Sequence, residues 1–112
     1  MEEVWRRIDG FNMYEVSNLG RVRSLKYNKI KILKPRIHTG GSHIVALMSD
    51  EIGRKEHRVH RLVADAFIPK VADRPFIHHR DGNITNNEAS NLFWYGNQDV
   101  NTTITVNRLV VE

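Results

Sequence analysis

The chain contains no cysteine. That excludes a disulfide framework, a Cys-based zinc site and a thiol nucleophile, and it suits a reducing cytosol. No apolar stretch approaches membrane-spanning length, so no membrane role is expected. The first residues, "MEEVWRRIDG", are charged and lack the apolar core of a signal peptide. There are no repeats and no low-complexity linker, and 112 residues fit one domain with a modest core. Acidic residues are missing from one long segment: between Glu15 and Asp50 there is none, while Arg21, Arg23, Lys26, Lys29, Lys31, Lys34 and Arg36 all fall there. A one-signed stretch within a net charge of +4 is a candidate phosphate-binding surface, or else a solvated basic face.

What is present reads mainly as short strands. "YEVS" and "RVRSL" flank the turn residues Asn18-Leu19-Gly20 and predict a hairpin. In "GRVRSL", alternation puts Val22 on one face and Arg21 and Arg23 on the other, where two guanidinium groups can grip a phosphate backbone. "KIKILKP" and "SHIVALMSD" predict further strands, broken at Pro35 and at Gly40-Gly41, and a strand follows the turn at Gly53. The period then changes. Leu62, Val63, Ala66 and Phe67 share one helical face, and Pro69 stops that helix. "DRPFIHH" and "LFWYG" predict two strands around a polar loop. A short helix is expected from Asn97, although the β-branched residues that follow oppose it.

The loop between those last strands draws attention. "FIHHRDGNITNNEASNL" starts from two adjacent imidazoles, His78 and His79, and continues through turn residues to Asn91. A neutral imidazole can take a proton from water near neutral pH, and a divalent cation needs only one or two protein ligands when phosphate oxygens complete its shell. The pattern therefore suits metal-assisted phosphodiester hydrolysis. The plainer alternative is a packed imidazole beside a solvated one, with Asn86, Asn87 and Asn91 as turn formers. His57 and His60 form H-x-x-H without further ligands nearby, which makes a zinc site improbable. Trp5 and Trp94 are expected in the core, and His38 and His43 on loop or strand surfaces.

The stretch "HRLVADAFIPK…FIHHRDGNITNNEASNLFWYGNQDVN", from His60 to Asn101, strongly resembles the HNH endonucleases of phage and intron origin. "EVWRRIDGFNMYEVSNLGRVRSL" resembles the nuclease-associated DNA-binding motif that often precedes them. The resemblance implies an α+β fold: an N-terminal antiparallel β-sheet over residues 1–59, then a ββα-metal (His-Me finger) motif over 60–112, in one compact unit. It implies a DNA endonuclease that nicks or cuts duplex DNA with one divalent metal ion, Mg²⁺, Mn²⁺ or another transition metal. His79 matches the general base, and Asn91 the central asparagine that orients the base and pins the loop. His78 falls where relatives hold a metal ligand or a neutral Asn, and it is the expected ligand here. The remaining ligand is expected at Asn101, with Asp99 as the alternative, because the usual spacing lands on Val100. Arg21, Arg23, Lys26, Lys34, Arg36, His60 and Arg61 are the expected DNA contacts, His60 being structural or a phosphate contact. A monomer or homodimer in the cytoplasm, the host's if phage-encoded, is expected. The rival readings are a catalytically inactive DNA-binding protein on the same scaffold and an RNA-binding adaptor.

Overall fold

In the computed structural model, the described residues are 2–96. The helix expected from Asn97, together with Asp99 and Asn101, lies outside them. The chain opens with a hairpin of β1 (Trp5–Ile8) and β2 (Phe11–Ser17), turned at Asp9-Gly10. β2 pairs with β3 (Val22–Ser24), and β3 with β4 (Lys31–Ile32), giving an antiparallel sheet in the order β1-β2-β3-β4. Alternation along β3 works as expected: Val22 and Ser24 are buried, and Arg23 between them is only partly covered. β5 (Arg36–Ile37), β6 (His43–Ser49) and β7 (Gly53–Arg58) form a second antiparallel sheet in that order. The N-terminal strands thus divide into two sheets, and the break falls at Pro35, whose missing N–H cannot continue a ladder.

Helix α1 (Val59–Phe67) follows β7 directly. It buries Val59, Leu62, Val63 and Ala64, and Ala66 and Phe67 pack at the edge of the core. Its end is set by Ile68, which leaves helical geometry while its N–H donates to Ala64 O at 3.0 Å; Pro69 comes next. The core joins Ile8, Phe11, Tyr14, Val16 and Val22 of the first sheet and Val45 and Leu47 of the second to α1 and Leu92. Val16, Leu47, Val59 and Val63 are fully enclosed. Each such side chain is worth about 1.5–3 kcal/mol of burial, so α1 is held from both sides.

α1 also carries the last pair of strands, β8 (Phe76–His79) and β9 (Leu92–Tyr95), which pair antiparallel with His78 opposite Phe93 and His79 opposite Leu92. Trp94 fixes this ribbon: it is buried, and its indole N–H donates to Ile68 O at 3.1 Å. Trp5, expected in the core, is instead partly exposed beneath the guanidinium of Arg23, 4.1 Å from the ring centre. It sits on the outer face of an edge strand, where a cation replaces a second layer of apolar side chains.

Candidate active site and nucleic-acid surface

The loop from Arg80 to Asn91 leaves β8 and returns as β9. Its regularity comes from short polar side chains that stand in for ladder bonds. Gly82, at φ +75°, donates its N–H to His79 O at 3.0 Å. Asp81 Oδ1 accepts from Asn83 N–H at 2.8 Å, and Asn83 Oδ1 accepts from Thr85 N–H at 3.0 Å and from the Thr85 hydroxyl at 2.7 Å. Asn91, buried just before β9, ties the two ends together. Its Oδ1 accepts from Asp81 N–H at 3.1 Å, and its Nδ2 donates to Asp81 Oδ1 and to Asn86 O, both at 2.9 Å. Its carbonyl accepts from Arg80 N–H at 2.7 Å. A bond from Asn86 Nδ2, followed by those from the Asn83 N–H and from Asn91 Nδ2, holds the Asp81 carboxyl below its usual pKa.

The two adjacent imidazoles face different surroundings, as neighbours on a strand should. His79 is buried, edge-on to the His60 ring with centres 5.3 Å apart. Its Nε2 lies 2.9 Å from Asn87 Oδ1. His78 is partly exposed and packs on Phe93 and Tyr95, at 5.0 and 5.6 Å between ring centres. Burial is the main force pushing the His78 pKa down, and the neighbouring His79 and Arg80 add to it. The same causes, burial first and then His79, Arg58 and Arg61, push His60 down to about 4. His60 therefore stays neutral, and its buried Nδ1 has no hydrogen-bond partner among the described residues. His57 resembles it: its Nε2 is also buried, without a partner among the described residues, and its ring stands edge-on to Phe11. A cleft of about 420 Å³ opens along Arg58, His60 and Arg61, walled opposite by Pro75 and Phe76.

Burial favours the neutral form of the His78 imidazole, the form that a metal ligand requires. Among the described residues, no group of three or more acidic or imidazole side chains forms a cage by itself. The expected partner ligands, Asn101 or Asp99, lie outside those residues.

Of the expected DNA contacts, Arg23 lies on β3, Arg36 on β5, and His60 and Arg61 on α1, while Arg21, Lys26 and Lys34 fall on the segments between strands. Arg21 makes a bidentate pair with Glu3 that draws the Glu3 carboxyl down to about 2. Arg23 pairs with Glu15 at 2.6 Å, and Arg36 with Glu56. Lys26 lies over the Tyr14 ring at 5.1 Å, and Lys34 is exposed. Arg61 donates to Pro75 O at 3.3 Å and stacks over Trp94. Of these residues, His60 is the one brought into ring contact with the histidine loop. Two residues were not singled out from the sequence. Asn87, read there as a turn former, turns out to be 4% exposed and to face the His79 ring. Tyr27, next to Lys26, is 93% exposed with φ 60°. Nothing in the local pattern distinguishes Asn87 from Asn86; its burial comes from the N-terminal turn packed over it.

Known proteins share this arrangement. Residues 3–48 match the NUMOD4 motif. Over 91 residues the chain is 40% identical to DNA endonuclease I-HmuI of Bacillus phage SP01, a match covering 80% of this chain and 51% of that protein. It is 38% identical over 90 residues to an uncharacterized HNH endonuclease, L245, of Acanthamoeba polyphaga mimivirus, covering 80% of this chain and 26% of that one. A solved structure described as DNA binding and cleavage by the HNH homing endonuclease I-HmuI superposes with a TM-score of 0.78 at 36% identity, covering 96% of this chain and 59% of the other. The chain thus spans about half, or less, of the length of these curated relatives. The resemblance to HNH endonucleases read from the sequence is borne out, and so is the α+β class: antiparallel sheets and, among the described residues, one α-helix, in the arrangement seen in that homing endonuclease.

Proposed function

We propose that this chain, built like an HNH homing endonuclease behind a NUMOD4 motif, is itself a divalent-metal-dependent endonuclease acting on double-stranded DNA. The observation that carries the reading is the pair of imidazoles at the end of β8: His79 enclosed in a loop pinned by Asn91, and His78 partly exposed on the other side of the strand. His79 acts as general base, withdrawing a proton from the water that attacks phosphorus. Asn91 keeps the loop, and with it the strand end, in one geometry. His78 would hold the cation, with Asn101 or, as the alternative, Asp99. The cation, when bound, supplies Lewis-acid polarisation of the scissile phosphate and charge stabilisation at the departing 3′ oxygen. A single imidazole with phosphate oxygens completing the shell suits Mn²⁺, Ni²⁺ or Co²⁺ at least as well as Mg²⁺.

The DNA backbone runs along the cleft at His60 and Arg61 and over the basic strands at Arg21, Arg23, Lys26, Lys34 and Arg36. Arg21, Arg23 and Arg36 exchange their carboxylate partners for phosphates when DNA binds, so the surface is charged but not idle without it. We assign residues 1–59 mainly to DNA binding and 60–112 to cleavage. The chain works as a monomer or homodimer in the cytoplasm of the cell that holds its target.

Nicking of supercoiled plasmid across a series of divalent metals, with His79→Ala beside the parent chain, tests the reading. The expected result is metal-dependent nicking by the parent and a loss of about 10²–10⁴-fold in the variant, with DNA affinity and metal affinity retained. Wild-type cleavage by His79→Ala would remove the imidazole from the chemistry. DNA binding without cleavage in any metal would make the chain an inactive binding scaffold.

A further inference from the structure

His79 Nε2 and Asn87 Oδ1 are 2.9 Å apart, and the two side chains are 7% and 4% exposed. An amide oxygen can only accept. Facing it, the imidazole must carry its proton on Nε2, and the neutral ring then keeps its lone pair on Nδ1. Asn91, where the sequence resemblance places the orienting role, spends its amide on Asp81 and Asn86 instead. The two asparagines divide the work: one shapes the loop, and the other meets the ring.

Asn87 is itself braced from the N-terminal region. The turn after β2 brings Gly20 against it so closely that a Cβ on Gly20 would lie 3.0 Å from the Asn87 carbonyl carbon and oxygen and 3.1 Å from its Cβ. Two residues beyond Asn87, Ala89 donates its N–H to Asn18 O at 2.7 Å. The backbone of the histidine loop is therefore stapled to the turn at residues 18–20, at Asn87 itself and two residues beyond it.

We propose that Asn87 is the positioning residue that sets the tautomer and orientation of the His79 ring, and that the N-terminal turn at Asn18–Gly20 holds Asn87 in place. The catalytic consequence rests on the endonuclease reading above; the tautomer does not. A buried amide locks the ring with its basic nitrogen on the side away from Asn87, and removing the amide leaves both tautomers accessible. The N-terminal motif then contributes to the chemistry as well as to binding, because its turn holds the side chain that meets His79 Nε2.

The experiment is a long-range ¹H–¹⁵N correlation of the imidazole rings in the ¹⁵N-labelled chain, in alkaline buffer, with the His79 signal assigned by His79→Gln. It is run beside single-turnover cleavage and DNA affinity for the parent, Asn87→Ala and Asn87→Asp. We expect a single Nε2-protonated tautomer for His79 in the parent and mixed tautomers in Asn87→Ala. Cleavage by Asn87→Ala should fall about 10–100-fold with DNA affinity nearly unchanged, the usual scale for removing a group that orients a reacting residue. Asn87→Asp keeps an acceptor in the same place, and it should restore the tautomer and most of the rate. An Nδ1-protonated ring in the parent overturns the proposal. So does full-rate cleavage by Asn87→Ala, or an Asn87→Asp variant as impaired as the alanine. If the parent cuts no DNA in any metal, the endonuclease reading fails, and the ring spectra still decide whether Asn87 holds His79.

Discussion

The basic N-terminal strands and the histidine loop are both polar, yet they are organised on opposite principles. The strands carry long cationic side chains that meet carboxylates at the protein surface, as in Arg21 with Glu3, Arg23 with Glu15 and Arg36 with Glu56. Such pairs are weak in water and easily exchanged. The loop uses short amides and one carboxyl, bonded largely to backbone and half enclosed, as in Asn91 with Asp81 and Asn86. Those bonds are hard to exchange, because breaking one strands a buried polar group. A surface that must swap partners for phosphates benefits from the first arrangement. A site that must hold an imidazole in one place needs the second.

If that contrast is right, the largest effect should come from the loop. Asn91→Ala removes three side-chain bonds around a nearly buried site, and chemical denaturation should show a loss of about 2–4 kcal/mol. A loss below about half a kcal/mol would place the loop's rigidity elsewhere. Next comes the brace between the two regions. Gly20→Ala meets both a positive φ of +90° and the Asn87 backbone, and should cost about 2–3 kcal/mol and slow cleavage. Gly82→Ala, at φ +75° with open space around it, should cost only about 1 kcal/mol, from backbone strain alone. Equal melting curves for the two variants would show that the turn does not press on the loop.

The smallest change in stability should come from the surface. Arg21→Ala should leave the melting curve almost unmoved, since its partner Glu3 can turn to water. It should weaken binding to all DNA sequences similarly and reduce the salt dependence by about one unit of slope, as should Arg23→Ala. An unchanged slope would mean that these arginines serve only their carboxylates and that the DNA surface lies elsewhere.

Much of the framework was legible in the residues. The period-two strands, the apolar face of α1 and its stop before Pro69 follow from side-chain alternation and from the missing proline N–H, both of which are local. The opposed surroundings of His78 and His79 follow from strand geometry in the same way. The ion pairs were less legible. Glu15 lies across a β-ladder from Arg23, and Glu3 reaches Arg21 from before the first strand, so the basic stretch looked unopposed along the chain while its charges were being met in space. Trp5 was misplaced for a related reason: an aromatic on an edge strand is buried only if something covers its outer face.

The amino-acid sequence by itself determined the class of fold, the resemblance to HNH endonucleases and the imidazole pair with its asparagine-rich loop, because periodicity, turn chemistry and motif spacing are properties of neighbouring residues. Only the tertiary structure decided which asparagine meets His79. Asn86 and Asn87 are chemically identical neighbours, and what separates them is burial beneath a turn some 70 residues earlier in the chain, with Gly20 close against Asn87 and Asn18 bonded to Ala89. A long-range contact of that kind leaves no periodic trace, since it depends on α1 bringing the first sheet and the last two strands together.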